Sequence, residues 1–423
     1  MNKQDILDNI STSQVTPEII ARAIVYGTAD CYTLSMDECV STSSLTHIKR
    51  QQVNDLVARY KSEKIAEEAK AKAKEEADRL IADIRADRNK YKADELKKRL
   101  SEDQLRGLCS EFEIDYNIVL NYNESTLDFN VIPEDSSDIP EGFTDIFFWG
   151  IPSSGKTCAL AAILRTMDEN YTMTYAEIPK QFGSTYRTSL INIFDNGLGY
   201  LPGGTQKDRT QYMPFILKRR GEDNYRKLSF FELSGELFER FYEIVNHTSV
   251  LTDESREKLD IAFITLDLLL NSNNQKIHVF FIDYEKATQS GRDDKRIKQA
   301  QLLEAATTYF RDHLNIFSKK TDAVYVIVTK SDAIKTNNDS GIERTRLAGE
   351  FLRGGNVGNF IDMLRALCKK NHVEFKAKIF SIGDVYFSGI CKLNKRYAKN
   401  IIEELLSRVR PATENKFIKQ IDR

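Results

Sequence analysis

The residues from Gly150 to Thr157 match the phosphate-binding pattern G-x-x-x-x-G-K-[ST] in full. The glycines of this pattern let the backbone wrap around phosphate groups, whose charge is met by loop N–H groups and by the N-terminus of the following helix. Lys156 would reach the β- and γ-phosphates, and the Thr157 hydroxyl would hold Mg²⁺. An apolar stretch (145–149) precedes the loop and a helical pattern follows it, so we interpret the match as a nucleotide-binding loop rather than a chance Gly/Ser turn.

A second motif, Thr329-Lys330-Ser331-Asp332, directly follows the apolar stretch AVYVIV. It resembles the [NT]-K-x-D base-recognition motif of P-loop GTPases, the superfamily of the Ras-like and translation-factor GTPases. The resemblance implies that the Asp332 carboxylate accepts hydrogen bonds from guanine N1 and N2, which adenine cannot supply, and that the Lys330 stem covers the base. Because a buried carboxylate left unpaired by the wrong base is costly, this residue predicts guanine specificity.

The sequence KIFSIGD, downstream of Asp332, resembles the last guanine-contacting loop of the same family. A small residue after a strand there offers backbone N–H groups to the base oxygen. Ser381 and Ile382 stand at the matching positions.

Residues 232–235 (Glu-Leu-Ser-Gly) stand where the family has its D-x-x-G motif. The resemblance implies that Glu232 holds a metal-bound water and that the Gly235 N–H touches the γ-phosphate, with a glutamate replacing the family's aspartate. Glu236 follows Gly235, at the position where many family members have a Gln that orients the attacking water. Glu236 and Lys156 are the candidate catalytic residues. An ordinary acidic residue in the first helical turn is the alternative interpretation of Glu236.

The family also needs a metal-binding threonine in a loop before the second strand. Thr205 and Thr210 both precede the strand candidate YMPFIL, and the flexible Gly203-Gly204 pair favours Thr205. The predicted metal ligands are Thr157, Thr205 and Glu232. The bound groups implied are GTP or GDP and Mg²⁺, and the predicted nucleotide contacts are Gly150, Pro152, Ser153, Ser154, Gly155, Lys156, Thr157, Cys158, Gly235, Thr329, Lys330, Asp332, Ser381 and Ile382.

The elements that must position these residues follow from apolar runs alternating with helical patterns after residue 144. Near-continuously apolar strands separated by helices predict an α/β fold, a mainly parallel sheet with helices on both faces. The strand candidates are 145–149, 212–217, 228–233, 277–283, 323–328 and 377–382. The helix candidates are 156–167, 236–245, 254–270, 294–317 and 345–370.

The region before this domain has a different composition. We predict a small helical module (1–47), a long charged helix with a short helix (48–130), a linker rich in acidic residues (131–143) and the P-loop GTPase domain (144–423). Heptad spacing in the charged helix is only partial, so a homo-oligomeric coiled coil and a single helix or hairpin on its own domain both stay open.

Composition excludes several other classes. Lys+Arg total 61 against Asp+Glu 63, so no basic excess indicates a nucleic-acid partner. Six scattered cysteines and five separated histidines form no metal-binding spacing, which predicts reduced thiols in a cytoplasmic protein without structural metal. No signal peptide or transmembrane stretch is expected.

The expected function is a GTP-binding, GTP-hydrolysing switch with slow intrinsic turnover, whose helical extension transmits the state or recruits a protein partner. The chain resembles less studied bacterial GTPase-domain proteins. One alternative is an ATPase with Asp283 on Mg²⁺ and Glu285 activating water. Another is a nucleotide-binding scaffold with little turnover.

Overall fold

The computed structural model describes residues 16–27, 47–122, 132–174, 178, 182–194, 197–201, 210–221, 224–288, 297–317, 320–336, 341–354 and 357–412. They form two compact units. The first contains the residues up to Asp87 together with 99–101, and the second contains 88–98 and the chain from Glu102 onward. The domain boundaries drawn from composition stay predictions.

Helices occur in both units. They are α1 (Pro17–Tyr26), α2 (His47–Ala86), α3 (Ala93–Arg99), α4 (Glu102–Glu111), α5 (Tyr116–Leu120), α6 (Lys156–Asn170), α7 (Ser184–Asn192), α8 (Glu236–Asn246), α9 (Asp253–Asn271), α10 (Tyr284–Thr288), α11 (Gln299–Asp312), α12 (Gly341–Arg353), α13 (Gly358–Lys370) and α14 (Lys395–Arg408).

Strands occur in the second unit. They are β1 (Thr144–Gly150), β2 (Tyr171–Thr174), β3 (Leu198–Tyr200), β4 (Gln211–Arg219), β5 (Tyr225–Glu232), β6 (Gln275–Asp283), β7 (Thr321–Thr329), β8 (Glu374–Ile379), β9 (Gly383–Tyr386), β10 (Ile390–Leu393) and β11 (Pro411–Ala412).

In the first unit α1 packs against the N-terminal part of α2. Ile20 and Val25 of α1 are buried together with Val53 and Tyr60 of α2, and the Lys64 ammonium donates to the Val25 carbonyl (3.0 Å). This apolar stripe stabilises α1, because a ten-residue helix is marginal without tertiary packing.

The charged segment from Thr46 to Leu100 is not one continuous helix. At 1.5 Å per residue α2 is about 60 Å long, and it ends at Ala86 although neither Pro nor Gly follows. Backbone carbonyls of the break are used by the second unit, of which residue 88 is part: Phe387 N–H donates to the Arg88 carbonyl (2.8 Å). Tertiary hydrogen bonds therefore override the helical propensity here.

The main sheet has the order β2-β4-β5-β1-β6-β7-β8, with β11 paired to β5, among the strands that the structure describes. Strands β5, β1, β6, β7 and β8 are mutually parallel, whereas β4 is antiparallel to β5 and β2 is antiparallel to β4. Apolar clusters cover both faces, one beneath α6 and α14 and the other beneath α8, α11 and α13. The predicted fold class is confirmed, and its order places the carboxyl ends of β5, β1, β6 and β7 side by side.

Some elements differ from the sequence-based expectation. The single helix expected over 345–370 is two helices, because α12 ends at Arg353 and α13 begins at Gly358. The helix expected over 294–317 covers only Gln299–Asp312 in the described residues. Strand β8 begins and ends three residues earlier than expected, so that Ser381 and Ile382 lie in the loop after it.

A buried polar cluster lies at the amino end of β1, opposite the P-loop. The Asp145 carboxylate is fully buried and accepts hydrogen bonds from Ser229, Ser272 and Asn274. Lys276, also buried, donates to the carbonyls of Ser272 and Asn274 (2.7 and 2.8 Å). Burial raises the pKa of Asp145 from 3.8 to about 6, although the hydrogen bonds and Lys276 lower it.

The raised pKa predicts a pH dependence of stability. Between about pH 4 and 6 the folded chain binds more protons at Asp145 than the unfolded chain. The contribution of Asp145 to the free energy of unfolding is therefore full below pH 4 and is lost as pH rises through 6. Asp145→Asn should therefore gain stability relative to the wild type, on the order of 3 kcal/mol, between pH 4 and 7.5. Urea unfolding of both proteins at the two pH values measures this difference, and an equal offset at both would contradict it.

Candidate nucleotide-binding site

The loop from β1 to α6 has the backbone that a phosphate cradle requires. Ser153 has φ 58° and Gly155 has φ 81°, both in the left-handed region, and Gly155 is the N-cap of α6. Glycine adopts this conformation without strain, which explains its place before the helix. The loop N–H groups and the positive end of α6 thus lie at the carboxyl edge of the sheet.

The two residues after Gly155 meet a carboxylate from the neighbouring strand. The Thr157 hydroxyl donates to Glu232 Oε1 at 2.5 Å, and Lys156 Nζ lies 3.8 Å from the same oxygen. All three side chains are buried. The next residue, Cys158, has a pKa raised to about 11 by burial and by the charge of Glu232, so its thiol stays protonated at neutral pH.

Gly235 packs directly against the P-loop. A Cβ at this position would lie 2.4 Å from the Pro152 nitrogen and 2.8 Å from the Ile151 carbonyl carbon. The following residue, Glu236, is buried at the start of α8 and accepts a hydrogen bond from the Ser234 hydroxyl (2.6 Å). Only glycine fits position 235, and the Glu236 carboxylate is engaged locally.

The motif at the end of β7 splits its roles between the P-loop and the rim. The Thr329 hydroxyl donates to the Ser154 carbonyl (2.7 Å), which links β7 to the P-loop. Lys330, at φ 52°, pairs with Asp283 (2.9 Å) and Glu285 (3.1 Å). Burial lowers the pKa of Lys330, but these two carboxylates outweigh it and raise the pKa above its usual value. Asp332 is exposed at the rim.

The loop after β8 lies against the β7 motif. Phe380 N–H donates to the Val328 carbonyl (2.8 Å), and Ser331 N–H donates to the Phe380 carbonyl (3.1 Å). Ser381 is buried, and the Ile382 carbonyl accepts from Asn394 N–H (2.8 Å). The two loops that resemble base-recognition elements therefore lie together.

Of the two threonines considered for the first switch, Thr205 lies outside the described residues. Thr210 is buried, and its hydroxyl makes no hydrogen bond within the described part of the chain. It precedes Gln211, which pairs with Glu232 across β4 and β5. Thr210 therefore lies near Glu232, the carboxylate that was predicted to hold the metal.

Two side chains at the site were not expected from the sequence. The Tyr186 hydroxyl, on α7, donates to Glu232 Oε2 (2.7 Å), and Lys286, on α10, donates to the Pro152 carbonyl (2.6 Å). Neither residue belongs to a motif. The only available signal was a buried pattern in α7, namely Tyr186 and Leu190 one turn apart.

The side chains present fit Mg²⁺ better than a transition metal. Within the described residues no group of three His, Cys, Asp or Glu side chains could hold a metal ion. The site instead supplies hydroxyls and one carboxylate, namely Thr157, Thr210 and Glu232, and Mg²⁺ is usually held by one or two carboxylates together with phosphate oxygens and water.

Among the described helices, none is long and apolar enough to cross a membrane.

No protein-family model and no curated protein matches the sequence. Among solved structures, a chain of the signal recognition particle receptor SRb-GTP/SRX complex from Chaetomium thermophilum is 15% identical with a TM-score of 0.31; the match covers 62% of this chain and 98% of that one. The S. cerevisiae Ski7 GTPase-like domain bound to GDP and inorganic phosphate is 13% identical (TM-score 0.27), with 56% of this chain and 43% of that chain covered. The putative nucleolar GTP-binding protein 1 from Plasmodium falciparum is 12% identical (TM-score 0.24), with 64% and 89% covered.

These similarities are weak, since all three TM-scores lie below 0.5. The structure itself shows a mainly parallel α/β sheet with a P-loop between β1 and α6.

The contact between Gly235 and the P-loop predicts a steric effect. Gly235→Ala should lower nucleotide affinity by about tenfold or more and reduce the melting temperature, because the methyl group would displace P-loop backbone at Pro152. Gly107→Ala, in α4, is the matched control, because a Cβ there would meet only open space, and it should leave both unchanged or raise stability slightly. Fluorescent nucleotide titration and thermal melts measure both effects; equal behaviour of the two variants would contradict the prediction.

Proposed function

We propose that this chain binds GTP together with Mg²⁺ and hydrolyses it slowly, acting as a molecular switch. The observation that carries the proposal is the Thr157–Glu232 hydrogen bond, which joins the P-loop to the segment resembling D-x-x-G at 2.5 Å. The base-recognition loops lie at the same carboxyl edge of the sheet, as a bound nucleotide would require.

Guanine recognition would depend on Asp332 and the Ser381–Ile382 loop. The Asp332 carboxylate is exposed and follows a Lys330 that two carboxylates hold in place. A base stacked beneath the Lys330 stem would bring its N1 and N2 donors to Asp332. Adenine lacks these donors, so an adenine base in the same position would cover the exposed Asp332 carboxylate without pairing it.

The phosphates would be held by P-loop N–H groups, the N-terminus of α6 and Lys156. Thr157, Glu232 and one first-switch threonine would hold Mg²⁺, which when bound neutralises charge on the β- and γ-phosphate oxygens. Glu236 would have to accept a proton from the attacking water on a carboxylate whose Oε2 already accepts from the Ser234 hydroxyl (2.6 Å). This local hydrogen bond is a physical reason for slow turnover.

The competing ATPase hypothesis gives the metal-site role to Asp283. The oxygens of this buried carboxylate contact residues other than Thr157: Oδ1 accepts from Lys286 N–H (3.0 Å) and Oδ2 pairs with Lys330 (2.9 Å). Glu232 is the carboxylate that contacts Thr157. The described contacts therefore favour Glu232 over Asp283 as the metal-site acid. The other alternative, a nucleotide-binding scaffold, differs from the proposed switch only in having little turnover.

A second, small sheet would connect the nucleotide site to the helical extension. Its order is β3-β10-β9. Strand β9 begins directly after the Ser381–Ile382 loop, and β3 ends at Tyr200, shortly before the residues that contain Thr205. We propose that this sheet supports both the base-recognition loop and the first-switch connection.

Residues 88–98 and 102–122, here called the docked segment, pack against the same sheet. Arg88 pairs with Asp384 (2.7 Å), and its guanidinium carbon lies 4.6 Å from the centre of the Tyr386 ring. The Phe112 ring contacts Tyr386 and Phe387, with centroids 5.7 and 6.0 Å apart. Because the docked segment continues the chain from α2, we propose that nucleotide state reaches the extension, and through it a protein partner, by this sheet.

The nucleotide preference is tested with fluorescent GTP and ATP analogues in the presence of Mg²⁺. We expect preferential GTP binding, a shift toward xanthine nucleotide in Asp332→Asn, and a loss of about 10- to 100-fold in Lys156→Ala because a charge-assisted contact is removed. Lys399→Ala, exposed on α14, should bind as the wild type does. Equal ATP binding regardless of residue 332 would refute guanine specificity and make Asp283 the residue to test. Phosphate release then separates a GTPase from a scaffold.

The coupling through the small sheet predicts faster nucleotide release when the docked segment is loosened. The double variant Arg88→Ala/Phe112→Ala should raise the dissociation rate of GDP by about fivefold, at the lower end of usual coupling energies. The control, Arg106→Ala/Tyr116→Ala, removes a cation–ring pair that lies within the docked segment (4.0 Å). Stopped-flow displacement measures the rates, and identical dissociation rates in both variants and the wild type would exclude the coupling.

A further inference from the structure

Glu232 has both carboxylate oxygens engaged by different elements. Oε1 accepts from the Thr157 hydroxyl (2.5 Å), and Oε2 accepts from the Tyr186 hydroxyl (2.7 Å). Glu232 is 2% exposed and Tyr186 is 1% exposed. A buried carboxylate of this kind depends on its donors, because water cannot replace a lost hydrogen bond.

The glutamate at this position has a longer side chain than the aspartate of the motif that it resembles. Its side chain has one more rotatable bond, so the direction of the carboxylate is less restricted by the backbone of β5. A second donor on the far oxygen removes that freedom and leaves Oε1 facing Thr157. Tyr186 supplies a neutral hydroxyl, which orients the carboxylate without cancelling its charge.

The tyrosine is itself held firmly. Gly183, at φ 67°, precedes α7 and lies so close to β4 that a Cβ would be 2.5 Å from the Tyr212 carbonyl oxygen. Tyr186 and Leu190 form the buried face of α7 and belong to the apolar cluster beneath α6. The hydroxyl is thus delivered by a packed helix rather than by a loop.

We propose that Tyr186 is the positioning residue of the metal-site carboxylate: it holds Glu232 in the orientation from which Oε1 faces Thr157 and the Mg²⁺ site. The helix that carries it lies between β2 and β4, in the same connection as Thr205 and Thr210. A change in the first-switch connection can therefore alter Mg²⁺ affinity through Tyr186. This inference rests on the proposed function, because it requires a Mg²⁺-dependent nucleotide complex.

The test is the Mg²⁺ dependence of binding of a fluorescent GDP analogue. In Tyr186→Phe the half-saturating Mg²⁺ concentration should rise about tenfold, the lower end of the usual effect of a residue that supports a metal ligand. Binding in excess EDTA should match the wild type. The matched control is Tyr212→Phe, which removes another fully buried phenol hydroxyl in the cluster on the opposite face of the sheet, and it should keep the wild-type Mg²⁺ dependence.

A double-mutant cycle with Glu232→Gln separates positioning from a general structural role. If Tyr186 acts through Glu232, adding Tyr186→Phe to the Glu232→Gln variant should not raise the half-saturating Mg²⁺ concentration any further. Two results would overturn the inference and leave the proposed function intact. One is an additional rise in the half-saturating Mg²⁺ concentration in the double variant, and the other is an unchanged value in Tyr186→Phe alone. A wild-type chain whose guanine nucleotide binding does not respond to Mg²⁺ overturns both.

Should Tyr186→Phe lower stability too far for titration, Glu232→Asp provides the same information from the other partner. The shorter side chain cannot contact Thr157 and Tyr186 in the same way, so the half-saturating Mg²⁺ concentration of this variant should rise as well. Melting temperatures in EDTA, without nucleotide, show whether each variant is folded. A folded Glu232→Asp variant with wild-type Mg²⁺ dependence would contradict the positioning role.

Discussion

One buried carboxylate connects three elements that meet at the P-loop. Glu232 ends a central strand, accepts from the first turn of α6 and accepts again from α7, so three separate elements meet at two oxygen atoms. Lys156 Nζ lies 3.8 Å from Oε1. A buried charge is tolerated only with such partners, and the packing of Gly235 against the P-loop makes the same junction sterically tight. The position of the strand end, the loop and α7 relative to one another follows from satisfying this group.

Much of the sheet was predictable because its signals are local. Buried parallel strands read as apolar runs, and the P-loop needs its residues at consecutive positions, so β1, β5, β6 and β7 were identified within a few residues. The same applies to the loops after β7 and β8, where a short pattern follows a strand. What sequence reasoning identified at the site was therefore the part whose chemistry is written in contiguous residues.

The unpredicted parts depend on contacts between distant residues. Tyr186 meets Glu232 across 46 positions, with no pattern that marks the pair in advance. The break after α2 arises where carbonyl groups of a helix-favouring sequence are used by the turn near Phe387, which propensity cannot anticipate. Lys286 reaches the Pro152 carbonyl across 134 positions. In each instance tertiary hydrogen bonding decides a feature that local sequence leaves undetermined.

The small sheet also has a consequence for the order of folding. Its β3–β10 pairing aligns Tyr200 with Ile390, so the ladder closes a chain segment of nearly 200 residues, and such long-range pairing pays its loop-closure entropy late. During synthesis the P-loop, β5 and β6 emerge well before β10 does. The phosphate cradle can thus assemble first, while the support for the base loop and the docked segment is completed only when the last quarter of the chain is available. By mass action, a ligand of the phosphate cradle would stabilise this early assembly over the unfolded chain.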